Sequence, residues 1–219
     1  MVRRTRMALM ILAALAAPSF AATQAPTVAA PPAEATAPVE DLVPVALETS
    51  AGRIVIALDR GRAPVTTANF LRYVDAGRYN GESFYRAMKV TGGDGGLIQG
   101  GIRSDSRKLF PPIAHEPSSK TGIKNVAGTI SMARLEPGSA RADFFILTTD
   151  IPSFDGDSSD PDGYAAFGRV IEGMDVVKAI FAAPTDPNKG EGVMRGQLLE
   201  PVVKIVRAAR VKPEAGAKR

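Results

Sequence analysis

Along residues 45–59, VALETSAGRIVIALD, apolar positions alternate with polar or small ones on either side of Ser50-Ala51-Gly52. A period of two marks a half-buried strand, so this stretch reads as two strands joined by a tight turn. The period then changes. In PVTTANFLRYVDAGRY (64–79), Phe70, Leu71 and Val74 share one helical face, Thr66 or Thr67 is expected to cap the start, and Gly77 suits the end. Five short apolar segments follow, SFYRAM, GLIQGG, GTISMAR, DFFILTT and AAFGRVI, separated by Gly, Pro, Asp and Ser clusters. A second helix is expected from about Asp175 to Phe181, after Gly173, and PVVKIVRAARV (201–211) reads as a closing strand. Many short strands with two helices predict a mainly β protein, an antiparallel barrel or sandwich with helices over its ends.

The flanks have other patterns. Arg3, Arg4 and Arg6 precede the short apolar run MALMILAALAAP and then SFAA, which together read as a secretory signal peptide over residues 1–21. A retained membrane anchor is the alternative. Residues 22–43, ATQAPTVAAPPAEATAPVEDLV, cannot bury enough apolar surface to offset chain entropy and are expected to be a disordered tether. The globular domain is then expected over 44–212, with a disordered tail at 213–219. Such a leader predicts a periplasmic or secreted protein. No membrane association is expected once the leader is removed.

Charge narrows the partners. The chain carries 27 Lys and Arg against 23 Asp and Glu; removing the three leader arginines leaves 27 − 3 = 24 against 23, close to neutral. That is no footprint for nucleic acid, whose binders concentrate basic residues on one face. The absence of Cys excludes disulfides, thiolate ligands and a cysteine nucleophile.

The segment FYRAMKVTGGDGGLIQGG (84–101) poses the chemical question, because glycine-rich loops often cradle phosphates. Its glycines fit no dinucleotide fingerprint, and no Gly-Lys pair of a P-loop occurs in the chain. The single histidine, His115, excludes an ordinary zinc site and has no serine elbow to serve. The acids of DGDSSDPDG (155–163) lack EF-hand spacing and read as a solvated loop. No cofactor and no metal is expected. What remains is chemistry available to arginine, amides, aromatics and methionine. Rotation about an X–Pro bond is such a reaction: its barrier of roughly 18–20 kcal/mol comes from amide resonance, and no atom is transferred. An apolar pocket for the ring and a guanidinium near the prolyl nitrogen would favour the twisted amide.

Several motifs, in order, carry a resemblance. FYR (84–86), LIQGG (97–101), GTISMAR (128–134), DFFI (143–146), FDG (154–156) and GYAAFGRVIEGMDVV (163–177) are similar to the hallmark segments of the cyclophilins. The resemblance runs from about Val45 to Val211 and is strongest to the bacterial exported branch. It implies a closed eight-stranded antiparallel β-barrel capped by two α-helices and peptidyl-prolyl cis-trans isomerase activity. It also implies roles at single positions. Arg86 would be the catalytic guanidinium, held by Gln99. Phe145 and Met132 would floor the proline pocket, and Phe154 would wall it. Ala133 and Arg134 would line the backbone groove, while Tyr85, Asp143 and Tyr164 complete the substrate-binding set. The partners it implies are proline-containing polypeptides, bound by a monomer.

Departures from the family pattern open a second reading. Tyr85 stands for the usual His. Asp143 replaces a Gln, and a carboxylate there could pair with Arg86 and draw it away from the prolyl nitrogen, or leave Arg86 pointing into an open pocket beside Phe145. The glycine-rich loop adds residues between Arg86 and Gln99, and Gly96 falls where the family places a pocket Phe. The alternative is therefore a peptide-binding module or chaperone with weak or no isomerase activity.

Overall fold

The computed structural model describes residues 40–103, 105–156 and 160–211; the expected leader, residues 22–39 of the tether and the 213–219 tail lie outside these. The barrel strands are β1 (Leu42–Thr49), β2 (Gly52–Asp59), β3 (Ser83–Lys89), β4 (Gly96–Gly101), β5 (Thr129–Met132), β6 (Phe144–Leu147) and β7 (Ala166–Glu172). The two-residue β8 (Thr185–Asp186) and the long β9 (Leu198–Arg210) follow. Neighbours run in the order β1-β2-β7-β5-β6-β4-β3-β9, and β9 pairs back onto β1, closing eight antiparallel strands into a barrel. β8 hangs on β9 as a ninth, minor strand. Closure removes the exposed edges that an open sheet of this size would leave.

β1 and β2 form the expected hairpin, with Thr49 opposite Gly52. β1 begins two residues before Pro44, inside the stretch read as tether. Glu40 pairs there with Arg62 and Arg169, and Asp41 with Arg60. α1 (Pro64–Asp75) and α3 (Met174–Phe181) are the two expected helices; a one-turn helix, α2 (Ser118–Thr121), adds a third. Four residues are too few for a 3.6-residue period to register in sequence.

The start of α1 corrects one expectation. Thr66 and Thr67 do not cap it; both are buried within the first turn, behind Pro64 at the first helical position. The cap comes instead from the buried Glu116, whose carboxylate accepts from the backbone N–H of Val65 at 3.2 Å and of Thr66 at 2.7 Å. An anion at a helix N-terminus satisfies orphan donors and complements the dipole. Gly77, at φ +63°, lies just past the C-cap residue Ala76, in the conformation that favours glycine.

The apolar face of α1 seats Phe70 against Phe144, ring centroids 5.2 Å apart and edge to face. Tyr79, Phe84 and Phe167 complete the aromatic interior, all fully buried. Each such side chain contributes roughly 1.5–3 kcal/mol by leaving water. Among the described residues the barrel interior is therefore filled with side chains, and the outer face is where a cleft forms.

Candidate active site

Strand alternation decides which side chains reach that outer face. In β6, Phe144 and Ile146 point into the main core. Phe145 and Leu147 join a second apolar cluster with Leu97 and Ile151. Phe145 is the centre of three rings: it stands 5.6 Å from Phe154 and 5.2 Å from Tyr164, and those two are 4.7 Å apart. Phe154 is fixed from below, because the buried Asn125 donates through Nδ2 to its carbonyl at 3.0 Å. The same alternation moves Met132 away from the site. It lies opposite Phe144, is 0% exposed and belongs to the barrel core, while Ser131 stands opposite Phe145. The expected pocket floor is thus Phe145 without Met132.

Arg86 lies on β3 directly opposite Gln99 of β4. A register shift between Phe84 and Arg86 inserts Tyr85 as an extra residue on that strand. Arg86 Nη1 donates to Gln99 Oε1 at 2.9 Å, and Gln99 Nε2 donates in turn to the Tyr85 hydroxyl at 2.7 Å. Arg86 Nε donates to Gln197 Oε1 at 2.8 Å. Gln197 was not foreseen from the sequence. Pro201 reads as a strand start because it lacks an N–H, yet β9 begins at Leu198 and brings Gln197 beside Arg86. The apolar pair Leu198-Leu199 ahead of the proline was the available signal.

Arg86, Gln99, Phe145, Phe154 and Tyr164 line one cleft of about 570 Å³. Leu97 and Met88 line it too, supplying apolar surface where the family pattern has an aromatic residue. Gly96 could not carry one. It is buried, and a Cβ there would collide with the Met88 carbonyl and crowd the Phe181 ring. Burial lowers the pKa of Arg86, but a guanidinium remains charged at neutral pH.

The glycine-rich segment is a hairpin loop, closed where Val90 N–H donates to the Gly95 carbonyl at 2.9 Å. Gly95 lies against the Thr149 side chain and Gly96 against Met88, so these glycines serve close packing. Past Gly101, among the described residues, the next element is a short 3-10 turn at Ser106–Lys108 and no α-helix starts there to offer its N-terminus to an anion.

Of the two arrangements left open, the structure has Arg86 bonded to Gln99 and Gln197 and not paired with Asp143. Asp143 lines an adjoining pocket of about 310 Å³ with Gln99, Arg103, Ala133 and Arg134. Its Oδ1 is buried with no hydrogen-bond partner among the described residues. Burial raises its pKa to about 6, against the opposing pull of the Tyr85 hydroxyl and Arg103. Gly101 makes the close packing possible, since any side chain there would meet the Asp143 carboxylate. Burial likewise raises the Tyr85 phenol, and the Arg103 guanidinium sits 5.2 Å from its ring centroid. Tyr85 faces neither pocket and supports Gln99 from behind.

Ala133 and Arg134 line both pockets. Arg134 is committed elsewhere, however: its side chain is only 4% exposed, paired with Asp160 and donating through Nε to the Gly163 carbonyl at 3.0 Å. It ties the acidic loop to the rim of the cleft. Asp155 of that loop is likewise engaged, accepting from the Asn125 backbone N–H at 2.8 Å.

Comparison with known proteins points to one family. The family model for cyclophilin type peptidyl-prolyl cis-trans isomerases matches residues 44–209. The chain is 42% identical over 146 residues to peptidyl-prolyl cis-trans isomerase A of Dickeya dadantii, covering 65% of this chain and 73% of that one. It is 38% identical over 144 residues to peptidyl-prolyl cis-trans isomerase B of Escherichia coli, covering 64% and 85% respectively. A crystal structure of a Cryptosporidium parvum cyclophilin type isomerase superposes with a TM-score of 0.63 at 19% identity, over 79% of this chain and 99% of that one. By its matched domain and its relatives, the chain belongs to the cyclophilin-type peptidyl-prolyl cis-trans isomerase family.

Proposed function

We propose that the protein accelerates cis-trans rotation of X–Pro bonds in exported polypeptides, as a monomeric folding catalyst. The proline ring packs on Phe145 and Leu97, with Phe154 as its wall. Arg86 meets the prolyl nitrogen. As the amide twists, conjugation is lost and that nitrogen gains a lone pair. A guanidinium N–H favours the twisted state over either planar isomer, which is what lowers a rotational barrier. The single observation that carries this reading is Arg86, held over an aromatic-floored cleft by two neutral amides. Because neither acceptor is charged, the guanidinium keeps its full charge for the substrate. The binding-module reading rests on Asp143 restraining Arg86 and on the pocket Phe replaced by Gly96; Arg86 is bonded to the two amides, and Leu97 and Met88 line the cleft beside Gly96.

The test is exchange spectroscopy on a short Ala-Pro peptide, with no coupled protease. Wild type should speed exchange, and Arg86→Ala should lower that rate by about 10²-fold, the usual effect of removing a preorganised donor. Equal rates for the two proteins would refute the assignment. Export rests on the leader read in residues 1–21, and fractionation with N-terminal sequencing of the mature chain tests it. Light scattering on the purified protein tests the monomer.

A further inference from the structure

We infer that Gln197 is a positioning residue for the isomerase reaction: it fixes the Arg86 guanidinium from the β9 side without cancelling its charge. This rests on the isomerase reading above. The grip is two-sided. β3 lies between β4 and β9, and Arg86 is held by one amide oxygen from each side, Gln99 on β4 and Gln197 immediately before β9. Of five guanidinium donors, Nε–H goes to Gln197 and one Nη1–H to Gln99. The Nη2 amino group has no partner among the described residues and is left for substrate.

Gln197 is itself held at the backbone. Its carbonyl accepts from the Ala87 N–H at 2.9 Å, one residue past Arg86, and its N–H donates to the Met194 carbonyl at 3.1 Å. The side chain therefore starts from a point fixed relative to β3, which is what makes it a geometric constraint. With Gln99 alone, Arg86 could pivot about its Nη1 bond. With both, the plane of the guanidinium is set. A carboxylate at 197 would hold that plane equally well but neutralise it, since charged pairs are stronger and shorter than neutral ones.

The test compares wild type with Gln197→Met, which keeps the volume and removes the acceptor, and Gln197→Glu, which keeps the acceptor and adds charge. Two readouts are taken: kcat and KM for the Ala-Pro peptide, and protection of the Arg86 Nε–H signal from exchange with water. In Gln197→Met, kcat should fall about tenfold with KM within about twofold, and the Nε–H should lose protection. Gln197→Glu should keep the protected Nε–H and still lose rate. Wild-type kcat in either variant overturns the proposal, as does an Nε–H equally protected in Gln197→Met. If wild type itself shows no isomerase activity, the functional reading fails, while the Nε–H comparison still decides whether Gln197 holds Arg86.

Discussion

Arg86 and Gln99 are direct cross-strand partners, and their side chains meet at 2.9 Å across the β3–β4 hairpin. Directly opposed residues on a sheet are the closest neighbours two strands provide. The pairing thus converts a strand register into the placement of the charge proposed to act on the prolyl nitrogen. Gln99→Leu removes both the acceptor for Arg86 and the donor to Tyr85. It should lower kcat/KM for an Ala-Pro peptide by about tenfold, a loss of roughly 1.4 kcal/mol of transition-state stabilisation. Exchange spectroscopy reads the rate. An unchanged rate would show that Arg86 does not depend on this bond.

Much of this was legible in sequence, for reasons that can be assigned residue by residue. Period two in β1 and β2 and the shared face of Phe70, Leu71 and Val74 are strong signals. FYR and LIQGG together located Arg86 and Gln99. What escaped depended on long-range registry. Motif order does not say which face of β5 Met132 takes, and the register puts it in the core opposite Phe144. Glu116 caps α1 from 50 residues away. Gln197 reaches Arg86 from 111 residues away, and whether Asp143 turns to Arg86 stays open in sequence, which gives no direction to a side chain.

Asp143 makes stability depend on pH. Its folded pKa of about 6 is above the ordinary carboxylate value, so the folded state binds this proton more tightly than the unfolded chain. Stability from this group is therefore fully present below the unfolded value and lost as pH rises through about 6. Asp143→Asn should be more stable than wild type by about 1–2 kcal/mol at pH 8, with the gap closing by about pH 4. Urea denaturation at the two pH values measures this. A gap that grows on acidification would contradict the burial of a strained carboxyl.

Gly96 is a test of the hairpin geometry. A Cβ at this position meets the Met88 carbonyl, which is backbone and cannot rotate away. Gly96→Ala should cost about 1–3 kcal/mol, the usual penalty of overpacking. Thermal melting checks it. A melting temperature equal to wild type would mean that the glycine-rich loop is looser than the β3–β4 pairing requires.

Glu116→Ala removes the cap of α1 and leaves the Val65 N–H and the buried Thr66 N–H without their acceptor. The expected loss is about 2 kcal/mol. The substitution lies outside the cleft, so isomerase activity at a temperature where the protein is folded should be unchanged. Loss of activity without loss of stability would assign Glu116 a role that its contacts do not.

The central claim is that Arg86 acts on the twisted amide, beyond simply gripping substrate. Arg86→Lys keeps a positive charge but not the planar fork that Gln99 and Gln197 hold. The most direct measurement sets two quantities side by side for wild type and Arg86→Lys: the affinity for an Ala-Pro peptide and the bound exchange rate. The predicted result is an affinity within about threefold and a bound exchange rate lower by about 10²-fold. Parallel losses in affinity and rate, or a variant as fast as wild type, would contradict it.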